Sequence, residues 1–235
     1  MKKARLSNPL ALAVLVLLFE RPMHPYEMAA TLKERHKEAS IKLRYGSLYT
    51  VIELLLREGY IAAKETVRDG KRPERTVYTL TSIGEVEMRD WLSDLLGNPV
   101  KEYPQFEAAL SLLPALTPER VAEQLEARIV RLQREVERVR TGLARAAARV
   151  PRLFLIEAEF YIASLEAERR FVETLTEEIK EETLDGLRFW KEFHSARSAG
   201  EAPPSLESKA NGNGPLGLAD HHFHPRQATD GEHHE

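Results

Sequence analysis

The sequence predicts a mainly α protein with a small β-hairpin wing near its N-terminus and a set of long helices behind it. Three observations predict it. In residues 44–80, Leu48, Ile52, Leu55 and Leu56 fall on one face of a helix and Gly59 stops that helix. Two β-rich runs, Ile61–Val67 and Thr76–Leu80, then flank a charged tip containing Asp69-Gly70. From Leu125 to Leu143, apolar residues recur at alternating spacings of four and three, the pattern of a coiled-coil seam. Residues 153–179 carry apolar residues on two stripes of one helix rather than one.

Taken in order, Ser7 or Asn8 is placed to cap a first helix with Pro9 in its first turn, where a missing N–H costs nothing. Leu10–Phe19 is apolar enough to be buried on every side. Arg21-Pro22-Met23-His24-Pro25 interrupts the helix, and His24 reads as a turn or capping residue rather than a ligand. Pro25 opens a second helix, to about Lys37, with Met28, Ala29 and Leu32 inward and Lys33, Arg35 and Lys37 in water. Gly46-Ser47 turns into the third helix and caps it. After the hairpin, Thr81 or Ser82 caps a helix through Val86, Met88 and Trp91 to Leu96, which Gly97-Asn98-Pro99 ends. Residues 1–98 therefore form one winged helix domain, because these elements bury their apolar faces only together.

Residues 99–195 read as a helical domain. Phe106, Leu110 and Leu113 mark a short amphipathic helix, and Thr117-Pro118-Glu119 is a start signal for a long one. Its seam is Leu125, Ile129, Leu132, Val136, Val139 and Leu143. After a break near Pro151 a second long helix runs from Arg152 to about Phe193. One stripe of it holds Leu153, Ile156, Phe160, Ala163, Ala167 and Phe171, the other Leu155, Ile162, Leu165, Val172 and Ile179. Two stripes need two neighbours. The preceding helix supplies one; the other is a second subunit, in a two-fold dimer, or else the winged domain. The dimer interface expected on the first alternative is the seam together with Ile156, Phe160, Ala163, Ala167 and Phe171.

Residues 196–235 collect Gly, Pro, Ser, Asn and His without periodicity, as a disordered tail does. His221, His222, His224, His233 and His234 could meet a transition metal, but a flexible cluster has no scaffold to fix geometry. No metal and no cofactor is expected.

A hydrophobic content of 43% with 30% charged residues suits one or two cored domains in 235 residues. The absence of cysteine excludes disulfides, thiol nucleophiles and Cys-ligated metals, and is compatible with the cytoplasm. Lys2, Lys3 and Arg5 before an apolar run imitate a signal peptide, yet no small-residue cleavage site follows and the run is too short to span a bilayer. No membrane partner is expected. The net charge of −3 conceals an asymmetry, with 15 basic against 9 acidic residues in 2–75 and 19 against 28 in the rest. A basic front suits a polyanion partner. No phosphate loop, His-Glu-x-x-His, Gly-x-Ser-x-Gly or dinucleotide fingerprint is present, so no catalytic residues are named and no enzyme is expected.

A helix that fits the major groove beside a basic hairpin is a physical solution for gripping duplex DNA. Ser47 and Tyr49 sit where hydroxyls and free N–H groups can hold a phosphate, with Thr50 outward beside them. Lys42, Arg44 and Tyr45 precede that turn, and Lys64, Arg68, Lys71, Arg72 and Arg75 surround the wing.

In these words the chain resembles the PadR-like transcriptional regulators. They are the apolar first helix, Pro25-Tyr26-Glu27-Met28, Gly46-Ser47-Leu48-Tyr49, Arg57-Glu58-Gly59-Tyr60-Ile61, and Tyr78-Thr79-Leu80-Thr81 followed by Gly84. The likeness covers residues 6 to about 96. Family members often have a proline after the recognition-helix tyrosine and polar residues along its outer side. Here Thr50 follows Tyr49, and Leu54 and Leu56 are apolar. The resemblance implies that Tyr26 contacts phosphate, and it agrees with a C-terminal dimerisation domain. The expected function is a homodimeric repressor of transcription on an inverted-repeat operator. A hydrophobic or aromatic small-molecule effector would use aromatic walls, for which Trp91, Phe106, Phe154, Phe160 and Tyr161 are the candidates, each with ordinary core packing as its alternative. The competing reading is a winged helix protein–protein adaptor that docks through its long helices.

Overall fold

The structure, a computed structural model, describes residues 8–41, 44–67 and 75–202, with every side chain in them except those of Ala39, Tyr45, Glu65, Thr66, Val67 and Arg75. The chain divides into two units, Met1–Lys101 and Glu102–Glu235, each with its own apolar core.

In the first unit α1 (Pro9–Glu20) is the central rod. Asn8 Oδ1 accepts the Leu10 N–H at 3.0 Å and so caps it. Leu10, Ala11, Val14, Leu15, Leu17 and Leu18 are all buried, as expected of a helix with no polar side. The helices and hairpin that follow enclose it. α2 (Pro25–Glu34) opens with a capping box in which His24 Nδ1 accepts the Tyr26 N–H at 3.0 Å and the Glu27 carboxylate accepts the His24 N–H at 2.9 Å. The helix ends at Glu34, short of the expected Lys37, because His36 takes a left-handed φ of 55°.

α3 (Tyr45–Arg57) starts earlier than the expected Ser47 cap. Its N-cap is Arg44, which makes no side-chain capping bond, and Ser47 lies inside the first turn. Leu48, Val51, Ile52 and Leu55 bury its inner face. At the other end the Gly59 N–H donates to the Leu56 carbonyl and the Tyr60 N–H to the Leu55 carbonyl, with Gly59 at φ 74°. That is a Schellman ending, for which glycine is the unstrained residue.

β1 (Ile61–Val67) and β2 (Arg75–Leu80) pair antiparallel from Ile61↔Leu80 to Val67↔Arg75, with a register shift around Lys64. Met23 adds a bridge to Tyr78, exchanging bonds of 3.1 and 3.0 Å. α4 (Ser82–Gly97) begins at Thr81, whose hydroxyl accepts the Gly84 N–H at 3.0 Å and lies 2.8 Å from the Gly59 carbonyl. Met88 and Trp91 close the core.

The second unit holds α5 (Gln105–Ser111), α6 (Pro118–Ala147), α7 (Ile156–Lys180) and α8 (Leu187–Ala199). Thr117 caps α6, a helix of 30 residues, and so about 45 Å long at about 1.5 Å per residue. Helices α6 and α7 form an antiparallel hairpin, tied by Arg128 with Glu168 at 2.5 Å, Arg140 with Glu166, and Lys180 with Glu126.

The single helix expected over 152–193 is two. The chain turns after Lys180, where Glu182 and Gly186 take left-handed φ values of 59° and 82°. The turn lets Leu187 and Trp190 enter the core made by Val121, Leu125, Val172 and Ile179. Trp190 Nε1 donates to the Leu116 carbonyl at 2.7 Å, and a ring nitrogen of His194 lies 3.0 Å from the Pro114 carbonyl. Helix α8 continues to Ala199, past the Ser195 at which loss of structure was expected. The tail histidines lie outside the described residues.

Candidate nucleic-acid interface

Helix α3 has a wet side opposite its buried one. Gly46, Tyr49, Thr50, Glu53 and Arg57 are exposed along it, and Tyr49 at 51% exposure is a surface tyrosine. The helix starts without a side-chain cap, so its first N–H groups have no partner in the helix and the positive end of its dipole faces out. Arg44 is exposed at that end, with Ser47 half-buried one turn in. The Thr50 hydroxyl donates to the Gly46 carbonyl at 3.1 Å.

Tyr26 is 66% exposed in the first turn of α2, held there by the His24 cap. Glu27 stays a carboxylate to low pH, because the His24 N–H and then Arg21 lower its pKa from the ordinary value. Lys64 is exposed at the register shift of the hairpin, where a bulge re-aims a side chain. Arg57 shares the outward side of α3, a spacing of four and seven from Glu53 and Thr50 that was readable in the sequence but was not among the expected contacts. Of the others expected, Lys42, Arg68, Lys71 and Arg72 lie outside the described residues, and Tyr45 and Arg75 are described in their backbone alone.

Of the residues expected for an effector, Trp91 belongs to the first unit and Phe106, Phe154, Phe160 and Tyr161 to the second. Trp91 is buried in the core of the first unit. Phe106 lies under the Arg128 guanidinium, 3.7 Å from its ring centre, at the α5 end of the second. Phe154 and Phe160 are exposed at the far end of the α6–α7 hairpin, and the Tyr161 hydroxyl sits 3.4 Å from Glu135. A cleft of about 360 Å³ at that end is lined instead by Leu143, Ala144, Ala147, Val150 and Leu155, with Arg140, Arg152 and Glu159. Among the described residues no group of His, Asp and Glu could hold a metal ion, and no helix is long and apolar enough to cross a membrane.

The two halves of the expected subunit interface stand differently. On α6, Leu125, Leu132 and Val136 are buried and Ile129, Val139 and Leu143 partly so, on the side turned to α7. They are covered within the chain. On α7 it is the other stripe, Ile162, Val172 and Ile179, that meets α6. Ile156, Phe160, Ala163, Ala167 and Phe171 are all exposed, Phe160 at 73%.

Comparison with known proteins gives the same outline. Residues 14–90 match the model of the transcriptional regulator PadR-like family. None of the curated proteins matches the chain. Among solved structures, Bacillus subtilis PadR in complex with operator DNA is 20% identical at a TM-score of 0.53, over 71% of this chain and 99% of that one. The same protein in complex with p-coumaric acid is 16% identical at 0.56, over 74% and 99%. The PadR-like regulator BC1756 of Bacillus cereus is 17% identical at 0.51, also over 74% and 99%. Identities this low speak for the fold, and the family match speaks for the first unit. With a winged helix fold, an open α3 face and the match over residues 14–90, the first unit is similar to the winged helix domain of the transcriptional regulator PadR-like family.

Proposed function

We propose that the protein is a homodimeric, DNA-binding repressor of transcription whose α3 enters the major groove while the β1–β2 wing lies along the flanking backbone. The observation that carries this reading is the exposed, uncapped start of α3 with Arg44 and Tyr49 beside it, in a domain similar to that of this family. Tyr26, Ser47 and Lys64 serve as phosphate contacts, joined by Lys42, Arg68, Lys71, Arg72 and Arg75. Two such domains bind an inverted repeat. The reading divides the chain into a DNA-binding domain, 1–98, a dimerisation domain, 99–195, and a tail.

Dimerisation uses the α7 stripe. A row of exposed Ile, Phe and Ala along a long helix is larger than the scattered apolar residues of an ordinary surface, and a two-fold partner covers it with its own copy of the same row. Since one structural relative was solved with p-coumaric acid, aromatic acids are the first effectors to test. Such a compound releases DNA only if it binds the free shape more tightly than the bound one.

Fluorescence anisotropy on the DNA upstream of the protein's own coding region, at several salt concentrations and against shuffled competitor, tests the reading. Binding that survives competitor, with log affinity linear in log salt, supports it. No binding there and no motif from random-sequence selection would move the assignment to a protein-docking adaptor.

A further inference from the structure

The outward side of α3 contains one acid. Glu53 lies two helical turns after Gly46 on the same line, and a Cβ added at Gly46 would meet nothing within 4 Å. The line is therefore low and open, and a groove floor can come close to it. The neighbours of Glu53 have local commitments. Thr50 donates to the Gly46 carbonyl. Arg57 stands at the i+4 position that commonly pairs with a glutamate, yet its Nε lies 3.3 Å from Glu58 instead. Among the described residues Glu53 has no hydrogen bond or ion pair.

An uncompensated carboxylate in the middle of a DNA-facing surface repels phosphate and weakens binding to every sequence alike. It favours a sequence only where a base offers it a donor. A carboxylate has acceptors alone. In the major groove guanine presents N7 and O6 and thymine O4, all acceptors; adenine sets its N6 amino group beside the N7 acceptor; cytosine presents the N4 amino group. Resting on the DNA-binding reading above, we propose that Glu53 is a sequence-determining residue of this protein, accepting a hydrogen bond from cytosine N4 and rejecting guanine and thymine by repulsion.

The test is selection of binding sites from random duplex DNA by the full-length protein and by its Glu53→Gln and Glu53→Ala variants. Because the side chain is exposed, all three should give the same circular dichroism and melting temperature. The parent should prefer cytosine at one position of the enriched site by about 10-fold. Glu53→Gln should move that position to adenine, which a side-chain amide contacts through N6 and N7, and Glu53→Ala should flatten it, with the other positions kept. One and the same preference for all three proteins would overturn the role of Glu53 and leave the DNA-binding reading intact. No enriched sequence for any of them would overturn both.

Discussion

Gly84 has no room for a side chain, since a Cβ there would lie 2.0 Å from the Tyr60 carbonyl oxygen. That oxygen also accepts the Thr81 N–H at 3.0 Å, so it cannot move away without unlocking the start of α4. Gly84→Ala is expected to cost about 1 to 3 kcal/mol, the range of overpacked core sites, in denaturant unfolding followed by circular dichroism. An unchanged midpoint would mean that α4 is free to shift. A second residue-scale prediction concerns Glu20, which receives both Arg35 guanidinium bonds, at 2.5 and 2.7 Å. The Arg35 hydrogen bond lowers the Glu20 pKa beneath 4.5, against a smaller opposing effect of burial. A carboxylate depressed in the folded state stabilises above its unfolded value, and that stabilisation disappears as pH falls through the lowered one. Glu20→Gln should therefore melt below the parent at pH 7 and alongside it only in acid below that lowered value. The gap should be small and should shrink in salt, because the two side chains are 45% and 38% exposed.

At the scale of the element, α7 separates two kinds of apolar residue that look alike in the sequence. Val172 is fully buried against α6 while Phe171, its neighbour, is 52% exposed. Substitutions on the two stripes should fail in different ways. Phe160→Glu with Phe171→Glu should leave helix content and melting nearly unchanged while reducing the mass in light scattering from dimer to monomer. Leu132→Glu should lower the melting temperature whatever the assembly, because it places a charge inside the hairpin with no partner. A dimeric mass for the double variant would remove the α7 stripe from the interface. α8 is the second lesson at this scale. Its two bonds to the Leu116 and Pro114 carbonyls tie the last helix to the connection between α5 and α6. Trp190→Phe keeps an aromatic side chain, though a smaller one, and leaves the Leu116 carbonyl without its donor, a loss of at least about 1 to 3 kcal/mol in denaturant unfolding.

For the whole molecule, a basic front and an acidic remainder set the expected response to salt. If Arg44 and Lys64 each neutralise one phosphate, Arg44→Ala and Lys64→Ala should each make the plot of log affinity against log salt shallower by about 1, on specific and random DNA alike. A slope equal to that of the parent would take that residue out of the phosphate contacts. Tyr49→Phe, by contrast, should alter affinity with little change of slope, because a hydroxyl carries no charge.

Most of the first unit was legible in the sequence because its signals are local. Pro9 after Asn8, the unbroken Leu10–Phe19 run, Pro25, Gly59 and Thr81 each act on the backbone within a few residues, while the Asp69-Gly70 turn lies outside the described residues. The Ser47 cap was misplaced by the same logic, since a serine near a helix start is a common signal and an uncapped start has none. Of the site, the exposure of Tyr26 and Tyr49 follows from helical spacing once the core face is known. What only the tertiary structure decided lies in the second unit. Two apolar stripes on α7 are equivalent to a helical period, and the packing of the hairpin alone covers one and leaves the other open. The turn at Glu182–Gly186 likewise carries a weak local signal, a single glycine and a strained glutamate. It exists because folding back brings Leu187 and Trp190 into a core that no uninterrupted helix would reach. The sequence by itself thus determined the helices and strands of the first unit, whose signals are local, and tertiary packing decided where the last helix folds back and which apolar face of α7 stays exposed.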